Sequence, residues 1–159
     1  AMLPVTGDIV EGTPLYGLPS SGIHSNGLSL ARKTLNLDDE RILREMLVPT
    51  RIYVKELETL TEGQRIVGAA NITGGGLDAN IQRILPESLK PELTYSWEIP
   101  WIFREIQEGG AVDTREMRRV FNLGIGMVLA VAAKEAVSFE AKAESSGIDM
   151  VRIGKVVKR

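Results

Sequence analysis

The chain has 159 residues, 43% of them apolar and 25% charged, with 19 basic against 21 acidic side chains for a net charge of −2. That is enough chain for one domain with a closed core, and the near-balanced charge leaves no basic field for nucleic acid. No apolar run is long enough to span a bilayer, zero cysteines exclude disulfides and Cys-built metal sites, and a single histidine, His24, excludes a multi-His site.

The N-terminal AMLPVTGD has neither the basic nor the apolar region of a signal peptide. An intracellular, cytoplasmic protein that handles a small ligand, without membrane or nucleic-acid partners, is therefore expected. Thr13 to Leu18 is a short apolar run that reads as a strand. It feeds the loop PSSGIHSNG and then a helix, LSLARKTL. Asp38 is placed to cap a second helix, DERILREML, with Ile42, Leu43, Met46 and Leu47 on one face. Pro49 ends it, and Thr50 is placed to cap RIYVKELETL, with Tyr53, Val54, Leu57 and Leu60 spaced for burial.

Arg65 to Ile72 reads as a second strand, followed by TGGG and a helix through DANIQRIL that Pro86 stops. An edge strand is expected around Leu93 to Tyr95, and a short helix over Trp101 to Gln107. Asp113 and Glu116 form a capping-box pattern before TREMRRVF. Met127 to Val131 is a continuous apolar run, a buried strand. Lys134 to Ser145 reads as helix closed by Gly147, and Met150 to Val157 as the last strand. The alternation predicts an α/β fold, a mixed β-sheet flanked by helices, in one domain over residues 1–159.

Glycine is the compositional outlier, at 16 residues. Seven fall in three clusters: Gly22 and Gly27, Gly74 to Gly76, and Gly124 and Gly126. The segment Gly17 to Gly27 joins a strand to a helix. There backbone N–H groups and the side chains of Ser20, Ser21, Ser25 and Asn26 are disposed to meet an anion. The bland alternative is a tight turn whose Ser and Asn residues merely cap the helix. Thr73 to Gly76 repeats the arrangement, as a second phosphate-facing loop or a close sheet–helix contact. Asn122 to Gly126 precedes a buried strand, where glycine more often marks a bulge or close backbone approach.

His24 has the only side chain here with an ordinary pKa near neutrality, and its polar loop favours a ligand contact. Arg51 either neutralises a phosphate or belongs to a solvated helix face; Arg115, Arg118 and Arg119 read as a solvated face. Trp97 and Trp101 flank Pro100 as core or domain-contact residues. Asp38, Asp39, Asp78 and Asp113 all fall where helix caps are expected. No carboxylate pair is spaced for a Mg²⁺–nucleotide site, so no metal ligand is assigned.

Four segments in order, GLPSSGIHSNGLSLARK, PTRIYVK, ITGGGLDANIQRILP and FNLGIGM, resemble the C-terminal half of phosphoribosylformylglycinamidine cyclo-ligase, also called aminoimidazole ribonucleotide (AIR) synthetase. The resemblance runs from GDIVEG to VRIGKVV. It implies a domain of an ATP-dependent enzyme of purine biosynthesis that closes the imidazole ring of formylglycinamidine ribonucleotide. In such two-domain enzymes the N-terminal half supplies most ATP and Mg²⁺ contacts and the homodimer interface. Carried onto this chain, His24 and Asn26 would stand near the reacting end. Ser20, Ser21, Gly22, Ser25, Gly27, Arg51, Asn71, Thr73, Gly74, Gly75, Gly76, Asn122, Gly124 and Gly126 would line the substrate and phosphate cleft. The family usually has histidine where Asn71 stands, and Gly-Asp where Gly12-Thr13 stands. Two other readings remain: a binding or interaction domain without chemistry, and a sister enzyme such as thiamine-monophosphate kinase, selenophosphate synthetase or formylglycinamidine ribonucleotide synthetase.

Overall fold

The structure is a computed structural model that describes residues 9–63 and 65–159; the AMLPVTGD segment lies outside them. Five strands and seven helices follow in order: β1 (Pro14–Pro19), α1 (Leu28–Thr34), α2 (Glu40–Met46), α3 (Val54–Thr61), β2 (Ile66–Asn71), α4 (Gly76–Gln82), β3 (Leu89–Leu93), α5 (Trp101–Gly109), α6 (Thr114–Val120), β4 (Ile125–Val131), α7 (Ala136–Ser145) and β5 (Val151–Lys158). A 3₁₀ turn over Ala133–Glu135 leads into α7.

The α/β class stands, with one change in strand direction. The sheet order is β2-β4-β1-β5-β3, and all four ladders are antiparallel rather than mixed. Strands joined through helices do run parallel, as β1 to β2 and β4 to β5. Each such pair skips one position, however, and the gap is filled by an opposed strand from the other half of the chain. Interleaving therefore converts two parallel crossovers into an antiparallel sheet. It also brings the C-terminal ends of β1 and β2 and the N-terminal end of β4 to one edge of three adjacent strands.

Both faces of the sheet are buried, which is why β4 reads as an unbroken apolar run. Leu15, Val67, Val128, Ala130 and Ile153 face α4, whose Leu77 and Ile81 complete that core. On the opposite face Tyr16, Leu18, Leu129 and Val131 pack with Leu60 of α3 and Phe139 of α7. A third core is built from α1, α2, α5 and α6, and it takes in Ile23 from the glycine-rich loop.

Several helix ends differ from the sequence reading. Asp39, not Asp38, caps α2 by accepting from the Arg41 N–H at 2.8 Å. The amide of Asp38 instead donates to the Asn36 side chain. Thr50 does not cap α3, which starts at Val54; its hydroxyl pairs with Ser25 at 3.2 Å. Asp113 does cap α6, but Glu116 turns to Arg119 at 2.7 Å rather than back to the cap. In α2 only Ile42 of the predicted stripe is fully buried, while Leu47 is 79% exposed. A helix of seven residues presents one narrow face to the core, and Leu43 and Leu47 lie on the next stripe round. Val54 is exposed for the same reason.

The edge strand covers Leu89–Leu93 instead of Leu93 to Tyr95. Pro91 is tolerated there because β3 has a neighbour on only one side, and Tyr95, at φ 51°, has left the extended conformation. Helix α4 begins at Gly76, two residues before Asp78. A Cβ on Gly76 would lie 1.8 Å from the carbonyl oxygen of Arg118, and its φ is +68°. Backbone-to-backbone packing of α4 on α6 thus requires glycine at this point.

Gly76→Ala is expected to destabilise the domain by about 2–4 kcal/mol in urea unfolding, since both strain and overlap with backbone apply. Gly63→Ala, at φ +71° in open space, is expected to cost only about 1 kcal/mol. Equal losses at the two positions would contradict the close packing of α4 on α6.

Candidate functional site

The edge where β1 and β2 end and β4 begins carries all three glycine clusters. The β1–β4 register steps from Leu18 opposite Met127 to Pro19 opposite Ile125, so Gly126 bulges out of the ladder. Its carbonyl accepts from the Ile72 N–H at 2.9 Å, tying β2 to the same point. A Cβ on Gly126 would lie 2.0 Å from the Tyr53 hydroxyl and 2.6 Å from the His24 ring. The absence of a side chain there lets these two residues pack over the bulge, which is the close backbone approach anticipated for this segment.

Asn122 ties the loop after β1 to the start of β4. It is buried at 4% exposure. Its Nδ2 donates to the carbonyls of Gly22 at 2.9 Å and Ile23 at 3.2 Å. Its Oδ1 accepts from the Ser20 hydroxyl at 3.1 Å and the Gly124 N–H at 2.8 Å. Both amide hydrogens and both lone pairs are used, so Asn122 shapes the site from beneath. Asn80 does the same for the second loop. Buried at 2% exposure, it donates to the carbonyls of Thr73, Gly74 and Gly76, and accepts from the Thr73 hydroxyl.

The serines of the first loop are also engaged within the domain. Ser20 additionally donates to the Gly22 carbonyl, Ser21 donates to the Pro49 carbonyl at 2.7 Å, and Ser25 meets Thr50. The backbone amide of Ser20 donates to the Gly124 carbonyl. The hydroxyls expected to offer donors to a ligand thus stitch the loop to itself and to the 49–50 strap. Asn26 differs: half-buried, it makes no side-chain hydrogen bond to a described residue. A Cβ on Gly74 would come 3.6 Å from its Oδ1, so its carboxamide bridges the gap between the two loops.

His24 is buried at 6% exposure, in the left-handed conformation at φ 59°. Its Nε2 accepts from the Ser21 N–H at 3.1 Å, which places the proton on Nδ1. Burial lowers its pKa below the ordinary value, keeping the imidazole neutral. Arg51 is neither solvated nor free. It pairs with Glu56 at 2.8 Å and donates to the Pro19 carbonyl at 3.2 Å. The Glu56 carboxyl is held below its usual range by the hydrogen bond from Arg51. The Tyr53 hydroxyl, pushed up to about 12 by burial, donates to the same Pro19 carbonyl at 2.9 Å.

Asn71 is exposed at the end of β2. Among the described residues no group of three or more His, Asp or Glu side chains is placed to hold a metal ion. None of the described helices is long and apolar enough to cross a membrane. Tyr53 is buried at 5% exposure, as its spacing predicts, but its place at the site and that of Asn80 are not among the sequence expectations. A low-propensity asparagine four residues into a glycine-led helix is the available signal for Asn80. Nothing local marks the site role of Tyr53, which depends on Gly126.

The interleaved sheet with its flanking helices defines a class of α/β domain that solved structures share. Thiamine-monophosphate kinase from Stenotrophomonas maltophilia K279a superposes with a TM-score of 0.57 over 98% of this chain and 50% of that one, at 18% identity. That likeness concerns the fold. The profile of AIR synthase related protein, C-terminal domain, matches residues 10–159, and the chain belongs to this family. Proteins named phosphoribosylformylglycinamidine cyclo-ligase are 42% identical in Chromobacterium violaceum and 46% identical in Bacillus subtilis (strain 168), over 96% and 97% of this chain. The chain spans about half of their length, 47% and 49%.

Asn122→Ala is expected to cost about 2–4 kcal/mol in chemical unfolding, because it orphans buried partners in two segments. Asn26→Ala should change stability by less than about 0.5 kcal/mol. For His24 the folded pKa lies below the unfolded one, so the unfolded chain takes up the proton first. Stability is then full above the ordinary histidine pKa of about 6.5 and falls as pH drops below it. Thermal unfolding at pH 7.5 and 5.5 should show a smaller acid-induced loss in His24→Gln than in the parent; equal losses would count against a buried neutral histidine.

Proposed function

We propose that this chain is the C-terminal domain of an ATP-dependent phosphoribosylformylglycinamidine cyclo-ligase, completed by an N-terminal half. The observation that carries the reading is the gathering of SSGIHSNG, ITGGG and FNLGIGM on one edge of the sheet. It is supported by identity above 40% to cyclo-ligases along nearly the whole chain. In the reaction the formamide oxygen of formylglycinamidine ribonucleotide is converted into a phosphate leaving group by ATP. An amidine nitrogen then attacks that carbon, releasing phosphate and leaving aminoimidazole ribonucleotide and ADP.

The roles of this chain's residues follow from their surroundings. Asn26, whose carboxamide has no hydrogen-bond partner among the described residues, is the side chain best placed to bind the reacting end, between Gly74 and the first loop. His24 stands beside it as a neutral imidazole, with its basic nitrogen shared with the Ser21 amide. Ser20, Ser21, Gly22, Ser25 and Gly27 form one wall of the cleft, with Asn71 and Thr73 to Gly76 along the second. Asn122, Gly124 and Gly126 hold both walls in place, and Arg51 braces the first from behind through Pro19. Backbone dipoles fixed in this way stabilise phosphoryl charge without a high net positive charge. The donor set does not make a Mg²⁺ site, so the cation and most ATP contacts are assigned to the N-terminal half, together with the homodimer interface.

The test supplies an N-terminal cyclo-ligase half to this chain, with ATP, Mg²⁺ and formylglycinamidine ribonucleotide. The chain alone should be inert, and the pair should release ADP only when the ribonucleotide is present. Asn26→Ala should lower turnover by about 10–100-fold. Unchanged turnover in His24→Ala would remove His24 from the reacting end. Failure of the intact, folded enzyme to consume ATP with the ribonucleotide would overturn the reading in favour of a binding domain or a sister activity.

A further inference from the structure

A second recess lies between α5, α6 and the segment that follows β3. It is a cavity of about 360 Å³ lined by Tyr95, Trp97, Phe103, Met117, Leu123 and Arg118 among others, within the range of small-molecule pockets. Its apolar floor belongs to the helical core: Phe103, Met117 and Leu123 are buried there. Trp97 is locked as a wall, because its indole N–H donates to the Leu123 carbonyl at 2.9 Å.

The same wall continues through Tyr95, which is held under constraint. Tyr95 sits at φ 51°, an uncommon conformation for a bulky side chain that its surroundings must maintain. Its hydroxyl donates to Asp78 at 2.9 Å, and its ring lies 5.1 Å from that of Trp97. The guanidinium of Arg118 rests on the Tyr95 ring, 3.9 Å from its centroid. The Arg118 N–H groups make no hydrogen bond to a described residue, so this cation–π contact leaves them as donors.

The lining of the cavity carries more positive than negative charge. Arg118 makes no ion pair with a described carboxylate. Asp78 lies outside the lining, where its carboxylate accepts from the tyrosine hydroxyl and keeps its charge. Arg104 and Glu98 also line the recess, giving two guanidiniums against one carboxylate. Arg118 further faces an adjoining open cleft beside Gly75 and Arg115. There Asp113 is occupied as the cap of α6, and Arg119 is paired with Glu116.

We propose that this cavity binds a small organic oxyanion, its charged group held by the Arg118 guanidinium and its ring body seated against Trp97, Phe103, Met117 and Leu123. A guanidinium held over an aromatic ring and without an ion pair keeps donors for the two-oxygen edge of a phosphate or carboxylate. The apolar floor rewards a ligand that carries a hydrophobic body beside that charge. The cavity adjoins the glycine-rich edge at Leu123 and, through Arg118, at Gly75, but none of its lining residues belongs to the Asn26 and His24 loop, and it holds whether or not the domain serves ring closure.

Trp97 reports on the cavity directly. In a Trp101→Phe background, which leaves Trp97 as the sole tryptophan, the chain would be titrated with phenyl phosphate and separately with inorganic phosphate, with calorimetry as a second readout. Phenyl phosphate should give a saturable change in fluorescence, and inorganic phosphate should bind at least about tenfold more weakly for want of a body to fill the floor. Arg118→Ala should weaken phenyl phosphate by at least about tenfold, while Arg119→Ala should leave it within about twofold. No saturable binding of phenyl phosphate would overturn the site. So would equal binding of the two probes, or retention of affinity in Arg118→Ala with the fold intact by circular dichroism.

Discussion

The buried carboxamide of Asn122 holds together two segments that lie a hundred residues apart in sequence, the loop after β1 and the entry to β4. It does so with every hydrogen-bonding valence it has, in a place where an unmade bond would carry the full cost of desolvation. Ile23 adds an apolar anchor by inserting into the helical core. The loop is thus pinned by one polar clamp and one hydrophobic plug, and the serines complete the stitching. A loop fixed in this way loses little further entropy when it meets a ligand.

The Gly126 bulge complements that clamp. Removing one residue from the β1–β4 register leaves space for Tyr53 and His24 to pack directly on backbone. Burial then sets their chemistry: the histidine is kept neutral and the phenol is kept protonated. Arg51, which donates to the Pro19 carbonyl at the start of the loop, is already compensated by Glu56. Among the described residues the site consequently presents backbone dipoles and the amides of Asn26 and Asn71, neither hydrogen-bonded by its side chain, instead of a cluster of ionised side chains.

Sequence and structure agree where local chemistry decides. The glycine clusters, the strand ends beside them, the cap at Asp113 and the buried run of β4 could each be read from a few neighbouring residues. Disagreement arises where two distant segments compete for one group. Thr50 caps nothing because α3 starts only at Val54, and its hydroxyl meets Ser25 instead. Glu116 abandons the capping box for Arg119, and the donors of Ser20 and Ser21 go to protein carbonyls. Arg118, which reads as one of three cations on a solvated helix face, is drawn over the ring of a tyrosine that precedes it by more than twenty residues.

Composition and motif order by themselves determined an α/β domain of modest charge, without cysteine chemistry, whose excess glycine lies in three loops and whose wording resembles that of AIR synthetase. They could do so because glycine, proline and capping residues act on their immediate neighbours, and apolar period reports on burial. Only the tertiary structure decided that the sheet is antiparallel, since strand direction depends on which distant segment fills each gap. It alone separated the asparagines as well: Asn80 and Asn122 are consumed in buried clamps, and the Asn26 amide has no hydrogen-bond partner among the described residues. Their side chains are identical, and the surrounding carbonyls supplied by distant backbone make the difference.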